Sequence, residues 1–474
     1  MRPLTCLVLL LTLGCARPPV ETPVAAEAPP AAADDALPPD LRTRKTGDDW
    51  PCFLGPTHDS VSREKGILTP WPAGGPRIVW ERAIDVGYAM PSISRGRLFL
   101  FDRTRNRCTL RCWKAETAEP LWTFDYPTDY RDMYGYNGGP RCCPVVDGDR
   151  VYVYGPEGML HCVRVVDGKP LWKVDTRTTF NVVQNFFGVG STPVVEGDLL
   201  LVQVGGSPRG SDLDSFMDLK GDGSGLVAFD KRTGQVRYKV SDELASYSSP
   251  VVATVGKRRY CFLFARGGLL ALEPATGKID FHFPWRANML ESVNAGNPVI
   301  VGDRVLVSEC YQLGTAVLAV RPGGFTEVWT DRERGGRTKA LLCHWMTPVC
   351  VNGHVYASSG RHKGEAELRC VELATGKVRW REPDLTRASL LHVDGHFVLL
   401  GEDGWLRLVK VNPERYEEVS RVLLRRTGRA GKPDADGEPL LEEPCWAAPI
   451  VSNGLLYVRG DRRLVCLELI PAKR

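Results

Sequence analysis

No apolar run in this 474-residue sequence reaches the roughly 18 residues that a membrane-crossing helix needs. No long block of one charge is present either: Lys plus Arg is 61 against 57 for Asp plus Glu, a net charge of +4. That balance argues against nucleic acid as the main partner, because phosphate-backbone binding needs a dense basic face. The spacings CxxC, HExxH and CxxCH are all missing, so neither a common zinc site nor covalent haem is expected. The 15 cysteines fall well short of the roughly 8–10% that marks a small disulfide scaffold. What is plentiful is Gly (48) and Pro (35), the usage of a chain that turns often, which speaks against long helices and coiled coils. With 43% hydrophobic and 25% charged residues, a large buried core is available.

The N-terminus has the form of an export signal. Arg2 precedes the apolar stretch Leu4 to Leu13, and Gly14-Cys15 is a small-residue exit. Thr12-Leu13-Gly14-Cys15 resembles a bacterial lipobox, with Thr12 in place of the usual Leu; the resemblance implies lipidation of Cys15. Residues 1–15 are therefore expected to be a signal peptide. Residues 16–48, rich in Pro, Ala and acidic side chains, are expected to be a disordered tether. The remaining chain, 49–474, forms the folded domain. The expected location is the periplasm or outer membrane, with membrane contact only through the lipid.

Self-comparison of that domain reveals a repeat. One half-repeat is a Pro or small residue, a β-branched pair, a turn and a second apolar run: MPSISRGRLFLF (90–101), CPVVDGDRVYVY (143–154), TPVVEGDLLLVQ (192–203), and five further copies starting at 249, 297, 347, 389 and 448. Each is a β-hairpin signal. The other half is an apolar strand, a turn such as ATGK, and an aromatic: Trp122, Trp172, Tyr238, Phe281, Trp329 and Trp380, spaced 43 to 66 residues apart. A four-stranded unit on this period is the blade of a β-propeller. Eight first halves but only seven following second halves leave one outer strand missing. The segment 76–83, with Trp80, supplies it. The expectation is an all-β, eight-bladed propeller of four-stranded blades, closed by an N-terminal strand that completes the C-terminal blade. The regular aromatics are expected to pack blade on blade.

These halves resemble the pyrroloquinoline-quinone-like eight-bladed propeller repeat over essentially residues 50–474, and DDWPCFLGPTHDSVS (48–62) resembles the lead-in of exported quinoprotein-like members. The resemblance implies the fold and leaves two kinds of function open. Some relatives are quinone-dependent dehydrogenases. Others, such as the propeller lipoprotein of the outer-membrane β-barrel assembly machinery, bind partner proteins without quinone.

Adjacent Cys142 and Cys143 open the second blade, at an end facing the channel. The dehydrogenases resemble this locally, with a vicinal disulfide against the quinone; two separately packed thiols are the alternative. Gly148 stands where the enzymes' cofactor-contacting Arg would be sought, and no calcium carboxylate or catalytic Asp can be matched. Before the cysteines, 123–140 reads as an insertion carrying Tyr126, Tyr130, Tyr134 and Tyr136, suited to lid one channel mouth. His344 and Trp446 precede first strands in blades six and eight and belong at the same end. The expected ligand-binding mouth is thus Tyr130, Tyr134, Tyr136, Arg141, Cys142, Cys143, His344 and Trp446, with no catalytic residue assigned and no metal. Asp212, Asp214, Asp218 and Asp222 miss the calcium-loop pattern. Cys112, Cys162, Cys370 and Cys466 recur at one third-strand position and read as packing residues. The leading expectation is a non-catalytic exported propeller binding an envelope protein, small ligand or polysaccharide, with no cofactor. The alternative is a dehydrogenase using pyrroloquinoline quinone with calcium near Cys142-Cys143.

Overall fold

The computed structural model describes residues 36–211, 218–426 and 437–472. Eight separate four-stranded antiparallel sheets follow one another along the chain. Blade 1 is Ser92–Ser94, Arg97–Thr104, Arg107–Lys114 and Pro120–Pro127; blade 2 is Val145–Asp147, Arg150–Tyr154, Met159–Arg164 and Pro170–Asp175. Blade 8 takes Ile450–Ser452, Leu455–Arg459 and Arg463–Glu468 from the C-terminus, and its outer strand, Ile78–Ala83, from the other end of the chain. Trp80 sits opposite Cys466 and Arg82 opposite Leu464. The ring closes as the missing half-repeat requires, and no sheet is left a strand short. The first strands of neighbouring blades approach each other and line the channel.

Each blade is buried on both faces, and this sets the strand sequences. In Arg97–Thr104, Phe99 and Phe101 pack towards blade 2, while Leu98 and Leu100 pack towards blade 8. Such second strands read as continuous apolar runs rather than as an alternation. A separate apolar cluster fills each of the next five interfaces, from blades 2 and 3 to blades 6 and 7.

The outer aromatics lock successive blades together. Trp122, Trp172, Trp329 and Trp380 donate their indole N–H to carbonyls of Val165, Lys231, Leu373 and Asn412 in the next blade, at 2.8–3.1 Å. Trp80 does the same to Ala115 O across the closure, at 2.9 Å. The ring of Trp122 lies on Gly168, whose φ of +75° and bare α-carbon are both needed: a Cβ there would come within 2.5 Å of the indole. The recurrent cysteines sit directly opposite these rings, Cys112 on Trp122, Cys162 on Trp172, Cys370 on Trp380 and Cys466 on Trp80. All four are fully buried and work as small spacers beneath an indole.

Two boundaries differ from expectation. The strand Pro120–Pro127 runs through the start of the expected 123–140 insertion. Tyr126 is therefore buried in a blade, donating to Glu157 Oε1 at 2.7 Å, because its ring fits the interface with blade 2. Residues 36–48, assigned by composition to the tether, lie along the face that carries the hairpin turns. Leu41 N donates to Arg95 O at 3.0 Å, and Arg44 pairs with Glu468.

Candidate functional site

The segment 49–62 runs into the channel and becomes its floor. Trp50 exchanges backbone hydrogen bonds with Ile93 at 2.9 and 2.8 Å, and Val146 N donates to Pro51 O at 2.8 Å. On the return, Ser62 N donates to His392 O and His392 N to Ser60 O, at 2.8 and 2.9 Å. Channel-facing strand edges of blades 1, 2 and 7 thereby gain partners. The reversal needs left-handed backbone at Leu54, Gly55, His58 and Ser60, and Gly55 lies so close beneath the Trp50 ring that a Cβ would meet it at 2.9 Å. Burial pushes the Cys52 thiol up to about 12 and lowers the basicity of His58. Cys52 donates to Gly55 O at 3.1 Å, so this pair packs the floor and is not an activated thiol.

Above the floor of Phe53, Leu54 and Ser60 opens a cavity of ≈ 270 Å³. All eight blades contribute to its wall, and from one repeat position. The residue three before the Pro (or Leu) that opens each first strand is, in blade order, Tyr88, Arg141, Gly190, Tyr247, Ala295, Trp345, Arg387 and Trp446; every one lines the cavity. Four aromatics and two arginines thus ring the mouth, with small residues only in blades 3 and 5. Phe187 and Tyr136 add two more rings from loops. Among the described residues, no Asp or Glu is on the wall.

The aromatics form two groups. Around Trp446 stand Tyr88 (4.7 Å between centroids), Trp345 (4.9 Å) and Tyr136 (6.4 Å). Around Phe187 stand Tyr134 (5.6 Å), Tyr136 (5.9 Å) and Tyr247 (5.6 Å). Each arginine is held flat over rings by a buried carboxylate. Arg387 lies 4.4 Å from the Trp345 centroid and donates to both oxygens of Glu402, at 2.9 and 2.6 Å; Trp446 Nε1 donates to the same carboxylate at 3.0 Å. Arg141 lies over Tyr88 and Phe187, 5.4 and 5.6 Å from their centroids, and donates to Asp132 at 2.8 Å. Such bidentate and stacked contacts fix the guanidinium plane. These arginines hold Asp132 and Glu402 behind the wall, where their side chains are 3% and 2% exposed. Burial first, then the charges of Arg387, Arg361 and His362, lowers His344 to about 3, so its imidazole is neutral, 3.2 Å from the Tyr311 hydroxyl. Burial also pushes the Tyr88 phenol up to about 12.

Of the residues expected at the mouth, Tyr136, Arg141, Cys143, His344 and Trp446 line the cavity. Tyr134 is half-exposed on the rim. Tyr130 is buried behind it, against Gly188. Cys142 also lies behind the wall, its thiol 3.3 Å from Ser191 O. Cys142 and Cys143 are free thiols that pack into different clusters, one between blades 2 and 3 and one towards blades 8 and 1. Tyr88, Phe187, Tyr247, Trp345 and Arg387 were not foreseen. All but Phe187 were findable by aligning the eight half-repeats and reading the column two residues ahead of the repeated pattern. Among the described residues, no group of three or more His, Cys, Asp or Glu could hold a metal ion. Asp212, Asp214 and Cys15 lie outside the described residues.

No curated protein matches the chain. Among solved structures, BamB from Moraxella catarrhalis aligns with a TM-score of 0.55 at 12% identity, covering 84% of this chain and 99% of that one. The quinohemoprotein alcohol dehydrogenase from Comamonas testosteroni aligns with a TM-score of 0.49 at 12% identity, covering 90% and 81%. At such identities the likeness speaks for the fold alone. The sequence match is broader in meaning: the family model described as outer membrane protein assembly factor BamB covers residues 106–382, from the third strand of blade 1 to the last of blade 6. With more than half of its length matched, the chain belongs to the BamB family of eight-bladed propellers.

Proposed function

We propose that this protein is an exported, non-catalytic propeller that binds a partner at the bacterial cell envelope through the mouth of its channel. The observation that carries the reading is the wall itself: one repeat position in eight blades supplies aromatic rings and clamped arginines, with no carboxylate among them. Aromatic and Arg side chains are what binding surfaces favour. A rigid ring with a floored channel is a good platform for them.

Pyrroloquinoline quinone with calcium does not fit these residues. Calcium takes six to eight oxygen ligands, with Asp and Glu carboxylates supplying the compensating charge, and among the described residues none on the wall is a carboxylate. Cys142 and Cys143 diverge rather than presenting a joined pair to a flat ring, and both thiols are buried, Cys143 pushed up to about 12 by desolvation. The envelope assignment rests on the signal-like residues 1–15, on Cys15 as the lipidated residue, and on the matched family's description as an outer-membrane assembly factor. Among the described residues no helix is long and apolar enough to cross a membrane. The partner is an envelope protein, a polysaccharide or a small ligand.

Dye-linked oxidation of alcohols and sugars, with quinone and calcium added to the purified protein, tests the non-catalytic reading. The expected result is no turnover above the protein-free control. Turnover that requires both additions and is lost in Cys143→Ala would overturn it.

A further inference from the structure

The chemistry of the wall says what kind of ligand the mouth takes, and this step rests on the binding reading above. Flat apolar faces dominate: Trp345 and Trp446 on one side, Phe187 and Tyr247 on the other. An aromatic cage for a cation would be completed by acidic groups and would exclude arginine. Here the reverse holds. The charged side chains on the wall are Arg141 and Arg387, and the carboxylates that clamp them are buried behind it. A guanidinium carries five donor hydrogens: Glu402 and the Arg361 carbonyl take three of those of Arg387, and Asp132 and the Gly139 carbonyl take two of those of Arg141. The volume of ≈ 270 Å³ suits one substituted ring, since a dry cavity of roughly 150 Å³ already holds benzene.

We propose that the mouth binds a ring-bearing carboxylate: the ring lies against the tryptophan faces and the acid group meets the outer edges of Arg387 and Arg141. An aromatic acid and a uronic-acid sugar both present this chemistry.

The test compares each acid with its uncharged counterpart on the full-length protein: 2-naphthoate against 2-naphthalenemethanol, and galacturonate against galactose, by calorimetry and tryptophan quenching. At least one acid is expected to bind about tenfold more tightly than its counterpart. Replacing both members of the clamp, Arg387→Gln with Glu402→Gln, removes the charge without orphaning a buried carboxylate and should abolish the preference. Tyr136→Ala, at an exposed residue that cannot threaten folding, should weaken acid and counterpart alike. Which pair responds distinguishes the aromatic from the sugar source. Equal affinity of acid and counterpart in both pairs, or no saturable binding of either acid up to about 10 mM, would overturn the proposal. Quinone- and calcium-dependent turnover would instead overturn the underlying non-catalytic reading, whatever the acids do.

Discussion

The outer rim of the ring and the channel mouth use the same amino acids in opposite ways. On the rim, Trp122, Trp172, Trp329 and Trp380 occupy one repeat position and share one environment, each indole N–H bonded to a carbonyl of the next blade. At the mouth, Trp345 and Trp446 also share a repeat position, but its other occupants are Tyr, Arg, Gly and Ala. Trp446 bonds a carboxylate, and the buried Trp345 Nε1 has no hydrogen-bond partner among the described residues. A position that repeats its chemistry, as the five rim tryptophans do, is solving one packing problem again and again. A position that repeats its geometry while its chemistry varies is free of that problem and available for recognition.

This contrast can be broken or sharpened by substitution. The largest effect is expected on the rim. Trp80→Ala removes a buried ring at the closure and should cost about 3–5 kcal/mol in urea unfolding, whereas a cost under about 1 kcal/mol would mean the closure is not held by its aromatic. Next comes Gly168→Ala, which puts a Cβ into the Trp122 ring at a left-handed backbone position. It should cost about 1–3 kcal/mol by the same measurement. At the mouth, Tyr136→Ala should change stability by less than about 0.5 kcal/mol, since the residue is 64% exposed. Its effect belongs to ligand affinity.

Acid should act on both regions at once. His344 in the mouth and His161 in a blade are both lowered, to about 3 and about 4, chiefly by burial. A depressed folded-state value means that the unfolded chain binds more protons in acid. Both histidines therefore contribute stability that is present above about 6.5 and is lost as pH falls towards 3. Urea midpoints measured from pH 7 to 4 should decline. His344→Gln should flatten that decline in part, and an unchanged slope would show that His344 is protonated in the folded protein.

The fold was legible because blade packing is redundant. Eight hairpin signals and the anchors from Trp80 to Trp380 state the same four-stranded unit, and the orphaned half-repeat at 76–83 could only belong to blade 8. The mouth was legible in part. Cys143, His344 and Trp446 were reached as neighbours of conspicuous cysteines, and Tyr136 and Arg141 through the tyrosine-rich loop beside them. Tyr88, Tyr247 and Arg387 carry no local signal, for each is one residue in a stretch of ordinary composition and gains meaning only when eight distant segments converge. The floor at 49–62 was invisible for a different reason: its backbone pairs with strands up to 330 positions later in the chain, as Ser62 does with His392, and nothing in its own sequence marks the partner. Tyr126 misled because a strand lengthened by a few residues looks like the start of a loop.

The central claim is that the rim holds the ring and the mouth holds the ligand. The most direct test is the affinity for the acid, expressed per folded molecule, in Trp80→Ala and Tyr136→Ala side by side with the parent protein. The account predicts that Trp80→Ala unfolds more easily yet binds as tightly as the parent once folded, while Tyr136→Ala is as stable as the parent and binds about tenfold more weakly. Parent-like binding by Tyr136→Ala, with affinity lost in folded Trp80→Ala, would contradict it.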